Sequence, residues 1–173
     1  NIVVMGHGGC GKTTLVEAIA YQTGITARMG KVTDGNTISD YDKEEQKRQF
    51  SISTSVVPVE FEDIKINFLD TPGYFDFVGE VEEACHAAGA AVIVINGKSG
   101  VEVGTLKAWE LCEKYKLPRP FFVTGMDDDQ ASYRKIVLEL NDRFGRKVAP
   151  FHVPIRENEK FVGFVNVVKM KGR

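Results

Sequence analysis

Hydrophobic residues along the chain form short continuous runs, separated by longer stretches in which apolar positions recur with helical spacing. Six runs have the length of a β-strand: Ile2–Met5, Val56–Phe61, Ile64–Leu69, Ala90–Ile95, Pro120–Val123 and Val148–Val153. Four stretches have the period of an amphipathic helix: Lys12–Gln22, Val78–Ala88, Val103–Tyr115 and Ser132–Phe144. This alternation predicts an α/β domain, with a mostly parallel sheet of about six strands and helices on both faces.

Two parts of the chain depart from this alternation. Only Glu62-Asp63 separates the second apolar run from the third, which is hairpin spacing and predicts one antiparallel strand. Residues 27–49 are polar and charged, and a connection of this length inside a compact domain is usually functional or disordered. Its charges also suit an ordinary solvated surface, so the segment alone leaves both interpretations open.

The composition narrows the class of protein. A chain of 173 residues suits one domain, and 43% hydrophobic and 27% charged residues are ordinary for a globular protein. The formal net charge of −2 argues against binding DNA through overall charge, and no apolar run reaches the ~18 residues of a membrane span. Cys10, Cys85 and Cys112 are too widely spaced for a disulfide framework or a zinc site. We expect a cytoplasmic protein without membrane or direct DNA partners, and a chain that is a piece of a longer protein.

The residues Gly6-His7-Gly8-Gly9-Cys10-Gly11-Lys12-Thr13 match the phosphate-binding P-loop pattern, between an apolar run and a helical stretch. Glycines let successive N–H groups turn towards phosphate oxygens, and the helix presents its positive end to them. Lys12 supplies a positive charge for the β- and γ-phosphates, and the Thr13 hydroxyl can ligate Mg²⁺. The pattern predicts a site for a nucleoside triphosphate with Mg²⁺. A glycine-rich turn without a ligand is the alternative, and Cys10 is expected to be a small filler.

Two further segments could complete a phosphate site. Asp70-Thr71-Pro72-Gly73 follows the run Ile64–Leu69, where an acid at a strand end can hold Mg²⁺ through water and the Gly73 amide can approach a γ-phosphate. A plain turn is the alternative. Ser51 closes the long polar segment, and its hydroxyl could complete the Mg²⁺ coordination, which would make that segment a nucleotide-sensing switch. It could equally be an ordinary serine at the start of a strand.

Thr124-Gly125-Met126-Asp127 follows the run Pro120–Val123. The Asp127 carboxylate can accept two hydrogen bonds from the ring N–H and the amino group of guanine, a pair that adenine does not offer. Asp128 and Asp129 come next, so a solvated acidic loop is the simpler interpretation of these residues taken alone.

Taken together, these motifs resemble the nucleotide domain of translation elongation factor G, nearly from end to end. The forms Gly6-His7-Gly8-Gly9 and Pro72-Gly73-Tyr74 look most like a divergent branch of elongation factor G-like proteins. The other stretches that carry the resemblance are Thr13-Thr14-Leu15, Val32-Thr33-Asp34-Gly35, Asp40, the run from Glu45 to Arg48, the run from Asp76 to Glu82, Gly100-Val101-Glu102 and the run from Phe161 to Lys171.

The resemblance implies a P-loop GTPase fold over residues 1–158, with the start of an inserted subdomain at 159–173. It implies a GTPase that binds GTP or GDP with Mg²⁺ and acts on the ribosome, which completes the site and speeds a slow intrinsic rate. His7 to Thr14 would bind the phosphates. Thr13 and Ser51 would ligate Mg²⁺, with Asp70 in its outer shell. Lys12, Gly73 and Tyr74 would form the catalytic set, and Thr124, Gly125 and Asp127 would contact the base.

Departures from the family pattern qualify this expectation. Most members have histidine where Tyr74 stands, and a phenol can orient water but lacks the charged form of an imidazole. Gly9 replaces an aspartate, and Ser51 replaces a threonine while keeping its hydroxyl. Of the base motif Asn-Lys-x-Asp, only Asp127 remains, since Thr124 and Gly125 replace the first two residues.

Three alternatives follow from these departures. Tyr74 motivates a GTP-dependent binding switch with little or no hydrolysis. Thr124 and Gly125 motivate a scaffold that no longer discriminates nucleotides, although the intact P-loop argues against it. Tetracycline-resistance ribosomal protection proteins and peptide-chain release factor 3 share similar signatures, so a ribosomal protection protein is a further possibility.

Overall fold

The computed structural model describes residues 1–157 and 160–172, in which strands and helices alternate much as the pattern predicts. The strands are β1 (Ile2–Gly6), β2 (Ser55–Phe61), β3 (Ile64–Asp70), β4 (Ala90–Asn96), β5 (Phe121–Thr124), β6 (His152–Glu157), β7 (Lys160–Asn166) and β8 (Lys171–Gly172). The helices are α1 (Lys12–Gln22), α2 (Lys43–Arg48), α3 (Val78–Ala87), α4 (Val103–Tyr115) and α5 (Tyr133–Phe144). Helices α1 and α4 have the predicted bounds, and α3 and α5 each differ by one residue at one end.

The main sheet has five strands in the order β2-β3-β1-β4-β5. Strand β1 runs parallel to both β3 and β4, whereas β2 is antiparallel to β3. Glu62 and Asp63 join β2 to β3 with φ values of 47° and 65°, the left-handed conformation that tight hairpin turns require. The prediction of one antiparallel strand is therefore confirmed.

Helices cover both faces of this sheet. Successive residues of a strand point to opposite faces, so the buried strands offer an apolar surface to helices on each side. Val3 and Met5 of β1 pack in one core cluster with Cys85 of α3 and Cys112 of α4. On the other face, Val4 packs in a second cluster with residues of α1 and with Val57, Val59 and Phe68 of the β2–β3 hairpin. Helix α1, which follows the P-loop, thus packs on the face of the sheet opposite to α3 and α4, against residues of the β2–β3 hairpin.

The sixth predicted run does not join the main sheet. Strand β6 pairs antiparallel with β7, and β7 pairs with β8, so these strands form a separate three-stranded sheet. The run contains Pro150, which has no N–H to donate to a ladder, and the strand starts only at His152. Pairing with the next segment along the chain also closes a shorter loop than a return to the main sheet would.

The chain divides into two compact units, residues 1–95 with 102–122 and residues 96–101 with the described part of 123–173. The domain boundary expected after residue 158 falls on residues 158 and 159, which lie outside the described residues. Across the described residues, every helix is too short or too polar to cross a membrane.

The polar segment 27–49 contains a 3-10 turn at Val32–Asp34 and the short helix α2. Helix α2 begins with a reciprocal cap in which Asp42 accepts from the first turn and the Glu45 side chain accepts from the Asp42 N–H. Six residues are too few to display a helical hydrophobic period, which is why the pattern did not predict this helix.

Candidate functional site

The P-loop joins the end of β1 to the start of α1. Gly11 caps α1 with φ of 96°, a left-handed conformation that glycine adopts without strain. Lys12 is buried, and its ammonium donates hydrogen bonds to the carbonyls of Gly6 at 3.2 Å and His7 at 2.9 Å. The loop therefore holds the lysine charge in place through its own backbone.

A cavity of about 210 Å³ opens over this loop. The predicted phosphate-binding residues Gly8, Gly9, Gly11, Lys12, Thr13 and Thr14 line it. Residues of the polar segment and of the loop after β3 complete the lining: Val32, Asp40, Gln49, Phe50, Ser51, Gly73 and Tyr74. Three segments that are distant in sequence thus meet around one cavity in the first unit.

The side chains of two predicted P-loop contacts point away from the cavity. The His7 ring lies 3.6 Å from the Glu102 carboxylate and 6.2 Å from the ring of Phe75. Cys10 is buried in the core cluster below the loop, and this burial raises the pKa of its thiol. Cys10 therefore has the surroundings of a small core residue, and His7 meets Lys12 only through its carbonyl.

Hydroxyl and carboxylate oxygens converge at one side of the cavity. The Thr13 and Ser51 hydroxyl oxygens are 3.4 Å apart, and Ser51 donates a 2.7 Å hydrogen bond to Asp40. Asp70 ends β3 and is only 1% exposed, yet neither of its carboxylate oxygens has a hydrogen-bond partner among the described residues. The same holds for the second carboxylate oxygen of Asp40. Buried acceptors of this kind normally have a partner, so these oxygens are suited to a cation or a donor that binds at the site.

Burial controls the protonation of both acids. It raises the pKa of Asp70 to about 6, while the hydroxyls of Thr13 and Ser39 and the charge of Lys12 act in the opposite direction. Burial also raises the pKa of Asp40, and the hydrogen bond from Ser51 partly offsets it. Hydroxyl, carboxylate and water oxygens are the ligands that Mg²⁺ prefers. The described residues contain no group of three His, Cys, Asp or Glu side chains suited to a metal.

The loop after β3 packs directly on the P-loop. A β-carbon added to Gly73 would lie 2.5 Å from the Lys12 ammonium and 2.7 Å from the Gly8 α-carbon, so only glycine fits there. The Tyr74 ring covers Gly8, contacts the ring of Phe50 at 4.8 Å between centroids, and remains 48% exposed. The backbone after Asp70 therefore reaches the lysine, and Tyr74 stands at the mouth of the cavity.

Two buried glutamates that the sequence analysis missed hold the polar segment. Glu17 of α1 is 1% exposed and accepts hydrogen bonds from the Gly30 N–H at 2.8 Å and from the Ile38 N–H. Glu45 accepts from the N–H groups of Ile52 at 2.9 Å and Ser53 at 3.1 Å, directly after Ser51. Glu17 lies among the buried positions Val16 and Ala20 of α1, but its acidic side chain gives no apolar signal that would mark it as buried.

The predicted base-reading loop belongs to the second unit. Thr124 accepts a 2.7 Å hydrogen bond from the Gly97 N–H through its carbonyl, and Gly125 has φ of 63°. Asp127 is exposed at the third position of a turn that the Asp128 N–H closes on the Gly125 carbonyl. The Asp127 side chain is thus accessible to solvent, and its role towards a base stays a prediction.

Comparisons with known proteins give one answer. Residues 1–172 match the model of the elongation factor Tu GTP binding domain. An elongation factor G-like protein of Mycobacterium tuberculosis is 39% identical over 154 residues, which cover 89% of this chain and 22% of that protein. The mitochondrial ribosome-releasing factor 2 of Drosophila sechellia is 35% identical over 171 residues, 99% of this chain and 25% of that protein.

A crystal structure of a protein from Thermus thermophilus superimposes with a TM-score of 0.94 at 38% identity, over 99% of this chain and 26% of that one. The chain therefore spans about a quarter of the length of these relatives. The family model matches residues 1–172, and the relatives are at least 35% identical across most of the chain. These matches identify the family of this domain. The chain belongs to the family of elongation factor Tu GTP binding domains and is an elongation factor G-like nucleotide-binding domain.

Proposed function

We propose that this domain binds GTP and GDP with Mg²⁺ and hydrolyses GTP, as part of an elongation factor G-like translation factor that acts on the ribosome. The observation that carries the proposal is that the Thr13 hydroxyl lies next to both Ser51 and the buried Asp70, near the buried ammonium of Lys12. We also propose the P-loop GTPase fold for residues 1–158, with 159–173 as the start of an inserted subdomain, and a cytoplasmic setting, although one relative is a mitochondrial protein.

In this proposal each part of the site has a separate task. Lys12 and the amides of the loop from His7 to Thr14 bind the phosphates. Thr13, Ser51 and Asp70 would hold Mg²⁺, and the ion would supply positive charge that neutralises the phosphates. The Gly73 amide meets the γ-phosphate, since Gly73 already packs against Lys12. Catalysis is positioning and charge stabilisation rather than covalent chemistry.

Tyr74 is proposed to orient the attacking water. Its ring lies over Gly8 and is held by Phe50, so its hydroxyl projects at the cavity mouth on a fixed arm. A phenol hydroxyl can both donate and accept a hydrogen bond, so it can align a water. We expect slow intrinsic hydrolysis that the ribosome accelerates.

The test is single-turnover GTP hydrolysis by the full-length protein, with and without ribosomes. Wild type is expected to release phosphate at a catalytic rate only with ribosomes. Tyr74→Phe, which keeps the ring contacts, is expected to lower the rate about tenfold, the order of one lost hydrogen bond, while its affinity for GTP stays within about twofold. Equal hydrolysis with and without ribosomes would contradict the ribosomal role.

The second candidate is a GTP-dependent binding switch with little hydrolysis, favoured by Tyr74 standing where a histidine is usual. In that case wild type binds ribosomes in a GTP-dependent manner but releases no phosphate at a catalytic rate. A ribosomal protection protein would instead hydrolyse GTP on ribosomes and displace a bound antibiotic, which a tetracycline-release assay measures.

A further inference from the structure

The loop that follows β5 has Thr124 and Gly125 in place of the asparagine and lysine of the base motif, and the side chain of Arg156 binds its backbone. Arg156 of β6 donates hydrogen bonds from Nη2 to the carbonyl of Met126 at 2.7 Å and to the carbonyl of Asp128 at 3.1 Å. These two carbonyls belong to the residues on either side of Asp127. One guanidinium nitrogen therefore uses both of its protons to clamp the backbone around this aspartate.

The clamp complements the internal bonds of the loop. The Asp128 N–H closes a turn on Gly125, and the Asp128 carbonyl also accepts from the Ala131 N–H at 3.0 Å. The Asp128 side chain accepts from the Gln130 N–H at 2.8 Å. Backbone and side chain of Asp128 are thus engaged within the loop, whereas the Asp127 carboxylate is left exposed between the two clamped carbonyls.

Charge favours the same arrangement. Asp127, Asp128 and Asp129 place three acids in succession, which repel one another in a loop that has a flexible glycine, Gly125, at its start. A guanidinium at the backbone of this loop offsets that repulsion, and its planar, always charged group holds a more fixed geometry than an ammonium. An asparagine at position 124 would tie this loop down, and Arg156 of β6 provides ties to its backbone from another element.

We propose that Arg156 is the positioning residue of the guanine-reading loop, and that it holds Asp127 in the orientation that accepts hydrogen bonds from the base. The inference rests on the proposed function, since it assigns the loop to guanine. It adds that guanine selectivity depends on Arg156 of β6, outside the loop, as well as on the residues of the loop itself.

The experiment compares wild type, Arg156→Ala and a matched control, Arg134→Ala, which removes an exposed arginine of α5 in the same unit. Titrations with GTP and with ATP, both in Mg²⁺, give the ratio of the two affinities. Arg156→Ala is expected to weaken GTP binding about tenfold, the order of two charge-assisted hydrogen bonds, and to leave ATP binding unchanged. The control is expected to keep both affinities.

A purely structural role would lower stability and weaken both nucleotides alike, so the affinity ratio separates the two roles. Amide hydrogen exchange at residues 126–131 should rise in Arg156→Ala and stay unchanged in Arg134→Ala. Arg156→Lys keeps a donor and the charge without the fixed plane, and is expected to lose an intermediate share of selectivity; it also serves if the alanine variant does not fold. Adding Thr124→Asn to Arg156→Ala should restore part of the preference for GTP.

The outcomes distinguish the inference from the proposed function. If wild type itself does not prefer GTP to ATP, the guanine reading in the proposed function fails, and the inference fails with it. If wild type prefers GTP and Arg156→Ala keeps the same ratio, the inference alone is overturned.

Discussion

The hydroxyl oxygens of Thr13 and Ser51 lie 3.4 Å apart although 38 positions separate the two residues in sequence. Thr13 belongs to the first turn of α1, and Ser51 ends the long polar segment. Two hydroxyls at this distance can face one cation from adjacent directions, so a bound cation would couple the position of the segment to the occupancy of the site. The first prediction tests that coupling.

Ser51→Ala is expected to weaken the effect of Mg²⁺ on GTP binding about tenfold, because one of the proposed ligands of the ion is lost. The effect on GDP should be smaller if the segment closes on the γ-phosphate. Isothermal titration with each nucleotide, with and without Mg²⁺, measures both changes. Ser51→Thr keeps the hydroxyl and is the control, and equal loss in both variants would contradict a role for the oxygen.

Asp70→Asn is expected to change how stability depends on pH in the protein without metal or nucleotide. Burial raises the pKa of Asp70 from 3.8 to about 6, so the folded protein holds this proton more tightly than the unfolded chain. The free energy of unfolding should therefore fall as the pH rises from about 4 to 6, by a shift on the order of 3 kcal/mol. The loss is complete above the folded pKa.

The asparagine variant lacks the titrating carboxyl group, so its free energy of unfolding should change less with pH over the same range. Urea unfolding in EDTA at several pH values measures the slope. Asp142→Asn on the exposed side of α5 is the control and should leave both slope and stability within about 0.5 kcal/mol of wild type. A slope that persists in Asp70→Asn would assign the pH dependence to other groups.

Gly73→Ala is expected to abolish tight GTP binding, because the new methyl group would collide with the Lys12 ammonium and the Gly8 backbone. Gly79 in the first turn of α3 offers a matched comparison, since nothing lies within 4 Å of a β-carbon added there. Gly79→Ala should leave binding intact and stabilise the fold by up to about 1 kcal/mol. Nucleotide titration and thermal unfolding of both variants decide; intact GTP affinity in Gly73→Ala would refute the contact.

Glu17→Gln is expected to loosen residues 30–38, because one of the two carboxylate oxygens that accept from Gly30 and Ile38 becomes a donor. The cost is about 1–3 kcal/mol for a buried N–H left without an acceptor. Limited proteolysis should cut this segment faster, with exchange rising at the Ile38 amide. Glu44→Gln, on the exposed side of α2, is the control and should be cleaved like wild type.

Most helices and strands of the first unit could be predicted from the sequence, because the patterns that mark them lie within single segments. The bounds of α1 and α4 agree with the predicted ones, since the P-loop glycines and the apolar period mark where each helix begins and ends. Asp70 falls at the end of a strand because the apolar run Ile64–Leu69 stops there. These features depend on periods and turns that a single segment displays by itself.

What the sequence did not disclose depends on pairing between distant segments. The partner of Glu17 is a backbone loop without periodic pattern, so a carboxylate within a helix was not expected to be buried. The apolar pattern of β6 is the same whether the strand joins the main sheet or pairs with β7, so the pattern cannot identify its partner. The bond from Arg156 to the loop after β5 likewise spans 30 positions.

Strand β3 is bonded to β1 on one side and to β2 on the other, with Asp70 in register with Val4 and Ser55. Strand pairing on both sides therefore fixes the position of Asp70, whereas Ser51 lies outside the sheet, next to residues that bond to the Glu45 side chain. A compound that fills the cavity would contact Ser51 at the end of the polar segment and Thr13 beside Asp70, but would not reach the buried carboxylate itself. Resistance to such a compound should accordingly arise by substitutions in residues 30–51, where the cavity can be reshaped without unfolding the sheet.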